Sequence, residues 1–276
     1  DSAMVYRGLD VGSAKPAGEI LERFPHALVD IRDPAEPYSA ADFVADADAA
    51  VANSLAAGRL PLLVGGTMLY LKAFREGLAP LPAADAGFRA ELRRQAEAAG
   101  WPALHERLRA LDSEAAAGIH PNNAARIERA LEVCVLTGQP MSALWSQAAG
   151  DSVLQRLGAQ LKEIVIQPDS REALHDRINA RAAQMLEEGL IGEVERLHQR
   201  DDLHPDLPAI RAVGYRQTWA FLEGELARED LADKIAAATR QLAKRQLTWL
   251  RGWGLESFTW GAPEALAEQI ATLAAP

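Results

Sequence analysis

The opening of the chain combines side chains that support acid–base chemistry with side chains that bind anions. Asp1, Tyr6, Arg7, Asp10 and Lys15 place carboxylates, a ring and cations in one short, glycine-containing segment. A core strand or helix has little use for such a set, whereas a carboxylate on a loop can remove a proton from a reacting group. We therefore predict an active-site loop with Asp1 as the candidate base. The alternative is an exposed terminal aspartate without a catalytic role.

Two arginines form a second candidate group, suited to an anion. Arg177 and Arg181 stand at i and i+4 of a predicted helix, and at about 100° per residue Arg181 falls beside the apolar residues Ile178 and Met185. An arginine at that edge can stabilise the charge of a departing anion. A salt bridge to a core carboxylate remains an equally open interpretation.

A third candidate is the turn Val64-Gly65-Gly66-Thr67, which follows an apolar run and precedes a helical pattern. Parallel sheets place ligands at such strand-to-helix turns, where backbone N–H groups face an anion. A tight turn without a ligand explains the same residues.

Three basic segments are suited to RNA. Residues 235–255 contain no acidic side chain. On a helical wheel, Arg240, Lys244 and Arg251 fall within about 40° of one another. A solvated cationic face is the alternative.

The other two basic segments are shorter. Residues 211–217 place two arginines around Tyr215, a ring able to stack on a base, although a helix start with a core tyrosine is the alternative. Arg126 and Arg129 share one helix face at i and i+3.

Composition limits the class of protein. The 276 residues are 49% hydrophobic and 25% charged, enough for a sizeable core with a smaller lobe, and the net charge of −10 argues against general nucleic-acid binding. A single cysteine, Cys134, excludes an internal disulfide and a thiolate metal cluster. The six histidines lack metal-ligand spacing, so no zinc site is expected. We expect a soluble, cytoplasmic protein.

The elements that must position these residues alternate between strand and helix. Apolar runs at 27–31, 60–64 and 162–167 and the segment 256–260 predict strands, and residues 39–58, 170–188 and 227–253 predict helices. Between residues 82 and 155 strand signals vanish, and helices are expected at 85–99, 102–111 and 122–136. The pattern predicts an α/β core with a helical insertion.

Taken together, these motifs resemble those of the tRNA dimethylallyltransferases, also called tRNA isopentenyltransferases, over essentially the whole chain. Residues 1–16 resemble the family motif D-S-x-x-V-Y-R-G-x-D-I-G-T-A-K-P, and residues 244–251 resemble K-R-Q-x-T-W-L-R. In that family a strand, a phosphate-binding loop and a helix precede the first motif, so roughly 30 residues are expected to be missing ahead of Asp1.

The resemblance implies a fold and a division of labour. The fold is α/β, a P-loop NTPase-like parallel sheet flanked by helices, with a helical insertion domain. Residues 1–80 and 160–276 would form the catalytic core, and residues 81–159 would form an insertion contacting tRNA. The implied reaction transfers a dimethylallyl group from dimethylallyl diphosphate to N6 of the adenosine just 3′ of the tRNA anticodon. Mg²⁺, coordinated outside this chain segment by the missing loop, is the implied cofactor, and a monomer is expected.

The resemblance also assigns roles. Asp1 is implied as the base, Thr67 as a lining of the reaction channel, and Arg181, supported by Arg177, as the diphosphate ligand. Arg89 matches a tRNA-facing position, although a surface helix arginine is the simpler explanation. In the segment that matches Q-R-L-S-R, Ala125 and Glu128 replace glutamine and serine, which puts base reading there in doubt. The implied tRNA-binding residues are Asp1, Ser2, Ala3, Met4, Thr67, Arg89, Ala125, Arg126, Ile127, Glu128, Arg129, Arg211, Ala212, Val213, Gly214, Tyr215, Arg216, Lys244, Arg245, Gln246, Leu247, Thr248, Trp249, Leu250 and Arg251.

Two other functions remain open at this point. One is prenyl transfer to a free adenine nucleotide, or nucleotide phosphorylation on a similar core, although neither needs the helical insertion or the basic segment 244–251. The other is an RNA-binding remnant without catalysis.

Overall fold

The computed structural model describes residues 1–79, 81–147, 151–255, 257–261 and 263–274. It divides into two compact units, one of residues 1–72 with 159–276 and one of residues 73–158. In chain order the elements are α1 (Gly18–Arg23), α2 (Ala40–Ala56), α3 (Met68–Glu76), α4 (Ala86–Ala99), α5 (Trp101–Leu111), α6 (Ser113–Ala117), α7 (Ala124–Thr137), α8 (Met141–Gln147), α9 (Val153–Leu157), β1 (Val165–Gln167), α10 (Arg171–Glu187), α11 (Leu190–His198), α12 (Tyr215–Leu222), the 3₁₀ turn Arg228–Asp230, α13 (Leu231–Trp253), β2 (Ser257–Thr259) and α14 (Pro263–Ala274).

The sheet of the larger unit is a parallel pair. β1 and β2 pair in register with Val165 opposite Ser257 and Gln167 opposite Thr259. The backbone N–H of Trp260 continues the ladder with a 2.7 Å hydrogen bond to the Gln167 carbonyl. The strands predicted at 162–167 and 256–260 are therefore confirmed in shortened form, with Glu256 outside the described residues. The fold is helix-rich α/β with a small parallel sheet.

The strand predicted at residues 27–31 is wrong. Leu28 and Asp30 adopt left-handed backbone angles, φ 63° and 56°, which an extended strand cannot contain. Only a short parallel contact with the start of the chain remains, where the N–H of Arg7 donates to the Arg32 carbonyl and the N–H of Arg32 donates to the Val5 carbonyl, both at 2.9 Å.

The buried strand predicted at residues 60–64 is also wrong. The segment is not a strand, and Leu60, Leu62 and Val64 are 63%, 70% and 86% exposed. A buried parallel strand needs a neighbouring strand to take up its backbone hydrogen bonds. In the part of the chain that the structure describes, no strand is paired with this segment.

The core of the larger unit is formed by α10–α13 and by the start of the chain. Tyr6, Leu9, Leu190, Tyr215 and Ile235 are fully or almost fully buried in one cluster. Helix starts follow the predicted signals. Ser39 forms a capping box with Asp42, and the Ser170 side chain accepts the N–H of Ala173.

Every regular element that the structure describes in the smaller unit is a helix. The helices predicted at 85–99, 102–111 and 122–136 are confirmed as α4, α5 and α7. Their apolar faces meet in a second core around Leu92, Leu108, Ile127 and Leu131. The assignment of residues 81–159 to tRNA contact stays a prediction. No described helix of either unit is long and apolar enough to cross a membrane.

Candidate functional site

The opening segment is tied to the core by its apolar residues. Val5, Tyr6 and Leu9 are at most 2% exposed, and the residues between and beyond them form turns. Asp1 remains exposed, and its Oδ1 accepts the N–H of Ala3 at 2.8 Å. This bond orients the carboxylate over the first turn of a loop whose apolar residues are anchored in the core.

Thr67 lies against the same loop. Its Oγ1 donates a 3.1 Å hydrogen bond to the Ser2 Oγ, and α3 begins at the next residue. The prediction that this turn opens a helix is therefore confirmed. The fold brings the two residues predicted to be catalytic, 66 positions apart in sequence, into neighbouring segments.

The basic segment on α13 reaches this turn as well. The Gln246 Nε2 donates to the Gly66 carbonyl at 2.9 Å, and a Cβ at Gly66 would lie 2.3 Å from that Nε2. A side chain at Gly66 would therefore displace the end of the Gln246 side chain. On the same face the Lys72 Nζ lies 5.9 Å from the Trp249 ring centre. Segments 1–4, 65–67 and 244–251 therefore converge.

Arg181 is hydrogen-bonded to the opening loop. Its Nη2 donates to the Val11 carbonyl at 2.7 Å and its Nη1 to Glu188 at 3.2 Å. Close by, the Lys15 side chain is buried, and its Nζ donates to Asp10 and Asp30. The cavity here has a volume of about 370 Å³ and is lined by Asp10, Val11, Ala14, Lys15, Arg181 and Glu188.

Arg177 does not share that cavity. Its guanidinium stacks on the Trp260 ring, at the carboxyl ends of β1 and β2. It lines a separate cavity of about 150 Å³ with Trp260, Pro168 and Asp169 among its neighbours. The two arginines predicted to act together are thus brought to different cavities, because each side chain leaves α10 toward a different partner.

Three arginines of the smaller unit, Arg89, Arg93 and Arg129, are paired with buried glutamates. Arg89 makes a two-pronged contact with Glu132 at 2.8 and 2.7 Å, and Arg129 donates to the same carboxylate at 2.7 Å. Glu132 is fully buried. Burial alone would raise its pKa, but the hydrogen bonds from both arginines and from a backbone N–H hold the pKa below its usual range. The interpretation of Arg89 as a simple surface arginine is therefore wrong.

One of the two departures from the family motif in α7, Glu128, has a structural reason. Glu128, which replaces serine, is buried and accepts from the Arg93 Nε at 2.8 Å. Ile127 is also buried, so neither side chain is presented to a ligand. Ala125 and Arg126 are exposed, which leaves Arg126 as the side chain of this motif best placed for a phosphate.

Tyr215 is a core residue. Its ring is fully buried, and its hydroxyl donates a 2.6 Å hydrogen bond to Glu193. Burial, followed by the nearby Glu193 carboxylate, raises its pKa. The interpretation of this ring as a base-stacking platform is wrong, and the alternative, a helix start with a core tyrosine, is confirmed. Arg211 and Arg216 on either side are exposed.

Glu193 was missed as a site residue, and Lys15, although part of the predicted active-site loop, was assigned no role. Glu193 lies on the apolar face of α11, between Leu190 and Leu197, and is 1% exposed. A carboxylate on the apolar stripe of a helix is a signal that could have been read from the sequence. The partners of Lys15 were harder to predict, because its two carboxylates come from different parts of the chain.

Comparisons with known proteins identify the family of the chain. The family model described as IPP transferase matches residues 4–253. A protein of Hahella chejuensis named tRNA dimethylallyltransferase 2 is 55% identical over 263 residues, which is 92% of this chain and 79% of that protein.

Solved structures are similar along nearly the whole chain. The full-length tRNA isopentenylpyrophosphate transferase of Bacillus halodurans is 37% identical, with a TM-score of 0.67 over 99% of this chain and 85% of that one. The tRNA isopentenylpyrophosphate transferase of Staphylococcus epidermidis is 29% identical, with a TM-score of 0.65 over 99% and 88%. A eukaryotic dimethylallyltransferase acting on tRNA shares the fold, at 22% identity and a TM-score of 0.74 over 94% and 66%. The chain belongs to the IPP transferase family.

Proposed function

We propose that this enzyme transfers a dimethylallyl group from dimethylallyl diphosphate to N6 of the adenosine just 3′ of a tRNA anticodon. The observation that carries the proposal is the convergence, in a member of this family, of segments 1–4, 65–67 and 244–251. An exposed carboxylate, a hydroxyl and a basic helix there fit an acceptor base held beside RNA phosphates.

The reaction needs a base because the lone pair of an exocyclic amine is delocalised into the purine ring. The N6 nitrogen forms a bond to C1 of the dimethylallyl group, the bond from C1 to oxygen breaks, and the electron pair leaves with diphosphate. The proton from N6 passes to the Asp1 carboxylate. Thr67 is proposed to line the channel, and its hydroxyl, now on Ser2, can turn to the base or the leaving group.

Arg181 is the proposed cation for the leaving diphosphate. It lines the larger of the two cavities described, beside Lys15, and cations that hold the leaving group more tightly as the C–O bond lengthens speed the reaction. Arg177 would have to leave the Trp260 ring to assist. A P-loop NTPase-like core with a helical insertion domain remains part of the proposal.

Mg²⁺ also remains a proposal. Among the described residues no group of three or more His, Cys, Asp or Glu side chains fits a metal ion, so these residues are assigned no metal ligand and no step above depends on one. We further propose a cytoplasmic monomer.

For tRNA, the exposed cations are the proposed phosphate contacts. Lys244, Arg245 and Arg251 are exposed on α13, as are Arg211 and Arg216 at the start of α12. Contacts of this kind position an RNA without reading its sequence, so the identity of the acceptor base must be selected near Asp1 and Thr67.

The test is transfer of labelled dimethylallyl diphosphate to an anticodon stem-loop carrying adenosine 3′ of the anticodon, beside the same loop carrying guanosine. We expect label on the adenosine loop alone, and no displacement by free adenine nucleotides. Asp1→Asn should lower kcat about a hundredfold or more, whereas Asp201→Asn, an exposed aspartate outside these segments, should not. Equal labelling of both loops, or near-normal transfer by Asp1→Asn, would refute the proposal.

A further inference from the structure

Glu193 is a buried carboxylate on which three donors converge. It accepts the N–H of Val11 at 2.8 Å, the N–H of Gly12 at 3.2 Å and the O–H of Tyr215 at 2.6 Å. The side chain is 1% exposed. Burying a carboxylate is costly unless its acceptor sites are filled, so these contacts are needed to keep it there.

The contacts fix one residue of the opening loop from both sides. Glu193 holds the Val11 N–H, while the Arg181 guanidinium holds the carbonyl of the same residue at 2.7 Å. Displacement of Val11 would therefore also displace the contact that orients Arg181. The backbone at Gly12 packs directly against Tyr215, and a Cβ there would lie 2.5 Å from the ring.

The same carboxylate joins two segments with different proposed roles. On one side is the loop that lines the cavity with Arg181 and Lys15. On the other is Tyr215, whose neighbours Arg211 and Arg216 are exposed toward solvent. Glu193 itself lines neither cavity described above, so its effect on the reaction must pass through these two segments.

We propose that Glu193 is a positioning residue that holds the opening loop, and through Val11 the guanidinium of Arg181, in the arrangement that binds diphosphate. This inference rests on the proposed function. Its physical basis is preorganisation: a cation held in place before the ligand arrives loses less freedom on binding.

Glutamine is the informative replacement because it keeps the size and removes part of the acceptor set. An amide offers one oxygen as acceptor, and its NH₂ group only donates. Whichever way the amide is turned, its NH₂ faces at least one backbone N–H that Glu193 now accepts. The loop must then shift, although the apolar packing of α11 is unchanged.

The experiment compares Glu193→Gln, Tyr215→Phe and Glu195→Gln, an exposed glutamate of the same helix, in the full protein. For each, the KM for dimethylallyl diphosphate, the Ki of inorganic diphosphate and kcat are measured, and amide hydrogen exchange is followed for residues 9–15. Glu193→Gln should raise both KM and Ki about tenfold or more and speed exchange of the loop. Tyr215→Phe, which keeps both loop contacts, should raise them less, and Glu195→Gln should change neither.

A purely structural role gives a different pattern, since a variant that is partly unfolded loses kcat without a change in KM or Ki. Unchanged KM and Ki in Glu193→Gln would overturn the inference. If that variant does not fold, Tyr215→Phe decides, and an unchanged Ki together with unchanged loop exchange would overturn it. Absence of transfer by the unaltered protein would instead refute the proposed function, which separates the two failures.

Discussion

Glu132→Gln should strongly destabilise the smaller unit. Glu132 is fully buried and accepts four hydrogen bonds, two from Arg89 and one each from Arg129 and the Asp85 backbone N–H. Glutamine keeps the volume but removes the charge that both guanidinium groups face. It also presents an NH₂ donor to donors, so at least one buried contact is lost.

Breaking a buried ion pair from one side costs about 3–5 kcal/mol. Because glutamine still accepts some of these hydrogen bonds, the lower end applies, a loss of about 3 kcal/mol in the free energy of unfolding. The matched control is Glu106→Gln, in an exposed pair with Arg109 on α5 where the two side chains are 61% and 56% exposed. Exposed pairs of this kind contribute about 0.2–1 kcal/mol.

The assay is urea unfolding. Amide hydrogen exchange of peptides from α4 and α7 is measured beside it, because the two units of the chain can unfold in separate transitions. The effect should depend on pH. A carboxyl whose folded pKa is depressed contributes stability above its unfolded value of 4.5, and that stability is lost as the pH falls through the folded pKa. The difference between Glu132→Gln and the unaltered protein should therefore be largest near neutral pH and shrink in acid. A loss no larger than that of Glu106→Gln at pH 7 would refute the reasoning.

Three further predictions follow from single sites. Gly12→Ala should cost about 1–3 kcal/mol of stability because its Cβ meets a buried ring, whereas Gly18→Ala, with open space around it, should stay within about 0.5 kcal/mol by the same urea assay. Lys244→Gln should weaken stem-loop binding and lower its salt dependence by about one counterion, while Lys234→Gln, exposed elsewhere on α13, should do neither; equal salt slopes would contradict this. All four tyrosines have raised pKa values, chiefly through burial, with Tyr70 at about 12. The absorbance of the native protein at 295 nm should therefore not rise near pH 10, whereas that of the urea-unfolded chain should. The buried tyrosines contribute to the stability of the fold below pH 10, and this contribution should be lost as the pH rises through about 12. A native titration at pH 10 would contradict the burial.

The helices were largely predictable because their hydrogen bonds are local. The caps of α2 and α10 are read from Ser39 and Ser170, and the C-terminal stop of α7 from Gly138, which adopts the left-handed conformation, φ 67°. Strands were less predictable. The apolar run at residues 60–64 has the composition of a buried strand, but a strand exists only where a distant segment supplies its hydrogen bonds. β1 and β2 are separated by 89 residues between their nearest ends, and each formed because the other supplied its hydrogen bonds.

For the site, residue types indicated the chemistry and the fold decided the partners. The motifs of residues 1–16, 65–67 and 244–251 pointed to the family from the sequence alone, and the family is confirmed. The sequence could not say that Tyr215 would face inward or that Arg89 would be held by Glu132, because a side chain's partner depends on residues far away in the chain.

Charge pattern and local periodicity therefore determined the helices and the basic segments of this protein, and the motif of residues 1–16 indicated the candidate base. Only the tertiary structure decided which cations are presented to solvent, as Lys244 is, and which are used internally, as Arg129 is. It also decided that Glu193 would lie between Val11 and Tyr215. The physical reason is that a buried charge persists only where several donors converge on it, and convergence is a property of the packed chain.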